Sequence, residues 1–185
     1  ENLKCQQCDR SIGKGGGIFL RRGRIIISGN IHKRVYFYIQ PDFGSSVGTT
    51  QNIIQLRDAY IDLSLDNKSE FRVRLGQSKV PFGFENMQSS QNRLPLDRND
   101  GLNSPLSNER DLGAFFYWAP EKTRKLFALL VNDNLKGSGD YGVFGFGVYN
   151  GQTANRPEQN ETLHVVARVS SPFILGNQII EPGIQ

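Results

Sequence analysis

The chain has 185 residues, enough for one domain with a sizeable core. Hydrophobic residues make up only 37%, while 20 Gly, 12 Phe and 6 Tyr favour β-structure over helix. The net charge of +4, from 22 basic and 18 acidic residues, tolerates anionic partners without demanding them and gives no reason to expect nucleic acid. No apolar run approaches the ~20 residues of a membrane-spanning helix. A spanning strand remains possible, because it needs only ~9–11 residues with every second one apolar.

Residues 1–17 read as a flexible leader. Glu1-Asn2-Leu3-Lys4 lacks an apolar signal region, so an export signal is either absent or removed. Cys5 and Cys8 form a Cys-x-x-Cys pair, but Asp9 stands where a haem attachment site has His. No second pair completes a zinc set, so a local disulfide or two free thiols is the expectation, with no metal or cofactor. The glycines of 9–17 fail the phosphate-loop pattern.

From residue 18 the chain alternates with period two. Ile18–Gly29 comes first. In Lys33–Asp42, Val35, Phe37 and Ile39 share one face, and Arg34, Tyr36, Tyr38, Gln40 and Asp42 the other. In Ile54–Leu65, Ala59, Ile61, Leu63 and Leu65 oppose Asp58, Tyr60, Asp62 and Ser64. In Glu70–Val80, Phe71, Val73 and Leu75 oppose Glu70, Arg72, Arg74, Gly76 and Ser78. Leu112–Trp118, Tyr141–Tyr149 and Thr162–Ser170 continue the pattern. The polar faces are charged, which alone also suits a soluble sandwich. The connections discriminate: 30–32 and 66–69 are tight, whereas 43–53 and 81–111 are long. Short turns on one rim and long loops on the other mark outer-membrane barrels. Lys125–Asn132 reads as a strand or part of a long turn. We prefer the second reading, which makes 119–140 an insertion on the short-turn rim.

Other motifs carry little. Gly44-Ser45-Ser46-Val47-Gly48 matches a nucleophile elbow, but it lies in a polar loop rather than between strand and helix. Asp97-Arg98-Asn99-Asp100-Gly101 hints at a calcium loop, yet Leu102 stands where that motif needs Gly. No carboxylate pair, triad or metal set is legible, so no catalytic residue and no enzyme activity is expected.

Seven short stretches together resemble the phosphate-selective porin O/P family of Gram-negative outer membranes. They are FLRRGRI (19–25), YIQPDF (38–43), LRDAYID (56–62), GQSKVPFGFE (76–85), NERDLG (108–113), GVYNGQ (147–152) and VARVSSPF (166–173). The likeness runs from about Phe19 to the end. It implies an all-β fold, an antiparallel transmembrane β-barrel of about 16 strands. At ~20–25 residues per strand and connection, residues 18–185 would form about the N-terminal half of that barrel. NQIIEPGIQ (177–185) reads as a strand just beginning. The resemblance also implies a cell-outer-membrane location, lipid contact, a homotrimer or larger envelope assembly, and passage of anions such as phosphate or other small solutes. The 81–111 loop would be external and fold inward to narrow the pore.

Guanidinium groups stay charged and bind oxyanions in pairs, so arginines on a lumen wall favour anions. The expected pore-lining and anion-binding residues are Arg21, Arg22, Arg24, Arg34, Arg72, Arg74, Arg93 and Arg110. The family resemblance singles out the Arg21-Arg22 pair, and Arg110 as the arginine after a Glu behind the constriction loop. The bland alternative pairs such arginines with Asp58, Asp62 or Glu70. Where phosphate-binding members carry a constriction-loop lysine, this chain has Gln91 with Arg93 nearby, so a general anion or small-solute pore is expected. Val35, Phe37, Ile39, Ile61, Leu63, Phe71, Val73, Phe144 and Phe146 would form the lipid belt. The competing reading is a β-barrel or β-sandwich scaffold or binding module in a cell-envelope complex.

Overall fold

The computed structural model describes residues 23–45, 52–90, 92–94, 98, 99, 101 and 109–185. The leader, Arg21, Arg22, Gln91 and the start of the first expected strand lie outside them. In chain order the elements are β1 (Ile27–His32), β2 (Val35–Ser45), β3 (Asn52–Ser64), β4 (Phe71–Lys79), α1 (Phe84–Met87), β5 (Arg110–Trp118), α2 (Glu121–Asn132), β6 (Phe144–Tyr149), β7 (His164–Ser170), β8 (Phe173–Leu175), β9 (Gln178–Ile180) and β10 (Gly183–Ile184).

Strands β1 to β7 pair antiparallel in chain order, and β10 returns to pair with β7. This is a meander; a Greek key would bring a distant strand between neighbours. The sheet is not closed: β1 lies at one edge and β10 at the other. Strands β2 to β5 hold 11, 13, 9 and 9 residues, the reach of a tilted spanning strand.

Residues opposite each other across an antiparallel ladder share a face. One rung runs Val35, Leu63, Val73, Phe116, Phe146 and Ala167. Its neighbour runs Phe37, Ile61, Leu75, Ala114, Val148 and Val165. Phe71, Trp118, Phe144 and Val169 align beyond them. All nine residues expected in the lipid belt fall on this face, and Phe71, Phe144, Phe146 and Ile61 are exposed there. The other face carries Tyr36, Asp62, Arg74, Phe115, Gly147 and Val166 on one rung. Buried charge on one face and exposed Phe, Leu and Val on the other invert the sidedness of a soluble fold.

The glycines of β6 explain part of the interior packing. Phe144 and Phe146 point out, and Gly145 and Gly147 alternate with them. A Cβ at Gly147 would collide with the Phe115 ring, so Gly147 leaves that ring its space. Phe115, Tyr117, Tyr149, Val80 and Val166 then form a buried apolar cluster with Phe82 and Tyr141 against it.

Four boundaries differ from the sequence reading. The first hairpin turns at residues 33–34, because β1 stays paired to His32. Strand β5 starts at Arg110, two residues earlier than expected, so Arg110 and Asp111 sit on a strand rather than in the loop. Lys125–Asn132 belongs to helix α2, not to a strand or turn. The FALLV run (127–131) suited either state, since a short apolar run has no decisive period. Pro120 precedes the helix, Lys125 pairs with Glu121 one turn earlier, and Phe127 and Leu130 are buried at helical spacing. Finally, residues 178–184 form the second strand of a small hairpin with β8 and then the short β10.

The turn after β3 shows why 66–69 can be tight. The Asp66 carboxylate accepts hydrogen bonds from the backbone N–H of Lys68 and of Phe71, each at 2.9 Å. Those bonds, the Phe71 one foremost, hold its carboxyl below the usual range.

Candidate pore site

The stretch GQSKVPFGFE controls how the chain leaves β4. Ladder pairing continues to Val80, whose N–H donates to the Glu109 carbonyl at 3.1 Å, and stops at Pro81, which has no N–H. Phe82 N–H then donates to the Val80 carbonyl at 2.8 Å, a sharp turn. Phe82 consequently packs against the interior cluster. The segment that follows folds over the charged face. Lys79 Nζ pins it by donating to the carbonyls of Met87 and Gln88, at 3.2 and 2.5 Å.

The insertion between β5 and β6 folds over the same face. Arg124 Nε reaches Asp140 at 2.9 Å, and Asp140 also takes Arg72 Nη2 at 2.6 Å. Arg124 Nη1 donates to the Ser69 carbonyl at 2.8 Å, fastening α2 to the β3–β4 turn. The two inserted segments touch where the Gln88 side chain donates to the Lys136 carbonyl. Between them and the strands lies a cavity of about 610 Å³. Tyr36, Tyr38, Asp58, Arg72, Arg110 and α2 residues Phe127 and Val131 line it.

The arginines cluster in two groups. Toward the 81–94 segment, Arg24 Nε meets Asp42 at 2.8 Å, and Arg57 Nε stands 4.0 Å from the same carboxylate. Arg57 is the extra residue of a bulge between Gln40–Asp58 and Pro41–Leu56. Arg110 grips Asp58 through Nε at 3.0 Å and Nη2 at 2.9 Å, and its Nη1 reaches Glu109 at 2.8 Å. Arg93 and Arg98 join the Glu109 carboxylate at 2.8 and 2.9 Å. Burial alone would raise the Glu109 carboxyl, but Lys79, Arg110, Arg98 and Arg93 hold it down at about 2.

In the second group, Arg74 forms a fork with Asp62, at 2.7 and 2.8 Å. Its guanidinium lies 3.9 Å from the Tyr60 ring centre, 5.4 Å from Tyr117 and 5.8 Å from Tyr141. Burial pushes the Tyr141 hydroxyl up to about 12. Arg168 stands 3.8 Å from Glu181. Among the described residues, the buried Nε of Arg57 and of Arg72, and Nη1 of Arg168, have no hydrogen-bond partner.

Of the expected pore residues, Arg24, Arg34, Arg72, Arg74 and Arg110 all line this cavity. Arg93 lies beside them through Glu109. Arg34 sits at the turn rim, bonded to Asn67 at 2.7 Å. The sequence reading missed Arg57, Lys79, Arg98, Arg124 and Arg168. Arg168 was within reach, since Val166, Arg168 and Ser170 alternate onto the inner face. Arg57 was not, because only the bulge turns it inward.

A meander sheet with an apolar outer belt and charged inner wall, crossed by two inward segments, is the wall of an outer-membrane-type channel barrel. A family model, phosphate-selective porin O and P, matches residues 4–181, starting ahead of Phe19. The chain belongs to that family. No curated protein and no solved structure matches it.

Proposed function

We propose that the chain forms the wall of a Gram-negative outer-membrane channel that passes anions and small solutes. One observation carries this reading. Around the 81–94 segment, the described cations Arg24, Arg57, Lys79, Arg93, Arg98 and Arg110 gather about the carboxylates of Asp42, Asp58 and Glu109. A wall so rich in guanidinium groups stabilises an anion that has shed part of its water. The 81–94 segment and the α2 insertion, which meet at Gln88 and Lys136, narrow the passage. Arg21 and Arg22, outside the described residues, are proposed to add to the anion-binding set, as the family resemblance implies. The channel assembles as a trimer of barrels, as the family resemblance implies.

The test is the reversal potential of the full protein in planar bilayers under a KCl gradient. Anion selectivity is expected, reduced when Arg24 and Arg110 are changed to Gln. Cation selectivity of the unmodified protein would refute the reading.

A further inference from the structure

We propose that Glu109 is the specificity-determining residue of this channel: its carboxylate fills a built oxyanion socket of three guanidinium groups, so that chloride-like anions pass while phosphate is not retained. The inference rests on the channel reading above and refines it.

The socket has the geometry of an occupied anion site. Glu109 Oε1 takes Arg93 Nη2 at 2.8 Å and Arg98 Nε at 2.9 Å, and Oε2 takes Arg110 Nη1 at 2.8 Å. Lys79 is the fourth cation around it. Guanidinium groups converging on both oxygens of one anion are the arrangement that binds phosphate or carboxylate ligands. The Arg93 and Arg110 side chains are 2% exposed and that of Glu109 is 9%. The backbone is bent to put the carboxylate there: Glu109 has φ of 69°, a left-handed conformation that non-glycine residues hold only when their surroundings enforce it.

An entering phosphate would therefore compete with an anion tethered to the chain, which returns at high effective concentration. Displacing it would leave a buried carboxylate without its partners, which is strongly unfavourable. A chloride ion needs no such fork. It is drawn by the cation-rich wall at Arg24 and Arg57, two guanidinium groups about the single Asp42 carboxylate, and moves on.

The full protein in planar bilayers supplies the test, with conductance recorded in chloride and then with an equal concentration of phosphate added. The unmodified channel should be anion-selective and show no saturable block by phosphate. Glu109→Gln should block with phosphate at least about tenfold more tightly, the scale of one hydrogen bond to a charged group. Glu109→Asp keeps the charge and should resist block like the unmodified channel. Tight phosphate block of the unmodified channel overturns the proposal, and that measurement does not depend on any variant folding. Equal phosphate block of unmodified, Gln and Asp channels also overturns it. A cation-selective reversal potential in the same bilayer instead overturns the channel reading, so the two failures are distinguishable.

Discussion

Arg74 and Asp62 stand directly opposite each other on β4 and β3, and the register of that ladder turns them into a two-bonded fork. Tyr60, the inward neighbour of Asp62, stacks under the guanidinium. Both side chains of the pair are about one-tenth exposed. Removing one partner of such a pair leaves a buried unpaired charge, which costs roughly 3–5 kcal/mol. Asp62→Asn should therefore lower the stability of the reconstituted protein by that order while increasing anion selectivity. Denaturant unfolding followed by the fluorescence of Trp118, the single tryptophan, checks the first effect. Unchanged stability would mean that the fork contributes nothing net.

The pairing explains which parts of the molecule were legible in the sequence. Grouping into faces needs only the period of two, so alternation puts Tyr36, Asp62 and Arg74 on one face and Phe37, Ile61 and Phe146 on the other, while the loop lengths and the family resemblance turn the charged face inward. Which carboxylate each arginine meets depends on register between strands. Asp62 and Arg74 are 12 residues apart, and Asp58 and Arg110 are 52 apart. A bulge such as that at Arg57 moves a residue to the other face without any local signal. Helix α2 was hidden because its apolar run fits a strand as well as a helix, and only its burial at Phe127 and Leu130 shows the helical period.

Glu109 should leave a mark on pH dependence. Its carboxyl is held at about 2 in the folded chain, below the 4.5 of an ordinary glutamate. Its contribution is thus fully present above pH 4.5 and is lost as pH falls toward 2. The unfolding temperature of the unmodified protein should fall through that window. Glu109→Gln should start lower at neutral pH and change less across the same window. Parallel curves for the two proteins would show that Glu109 is not held by its four cations.

Gly147 tests the interior packing independently of charge. A Cβ there meets the Phe115 ring, and Phe115 is fully buried among Tyr117, Tyr149 and Val80. Gly147→Ala should cost about 1–3 kcal/mol by forcing that ring aside. The same change at Gly176, whose Cβ would meet nothing within 4 Å, has no such collision. Its φ of 60° disfavours Ala by a smaller amount, of about 1 kcal/mol. Thermal unfolding of both variants should rank Gly147→Ala as the more damaging.

The outward belt separates a membrane wall from any soluble sheet. Phe146 sits mid-belt on β6, 42% exposed, between Phe116 on β5 and Ala167 on β7. In water, a charge at so exposed a position would change stability by no more than about 0.5 kcal/mol. Facing hydrocarbon, Phe146→Arg should cost about 2–4 kcal/mol at the bilayer midplane, and less near an interface. Unfolding in lipid bilayers measures this cost directly, with Tyr36→Arg on the inner wall as the reference. Tyr36 lines the cavity, so a cation there meets water and Asp62 and should be tolerated far better. If Phe146→Arg were as harmless as Tyr36→Arg, the belt would not face lipid, and the inner arginines would lose their claim to a pore.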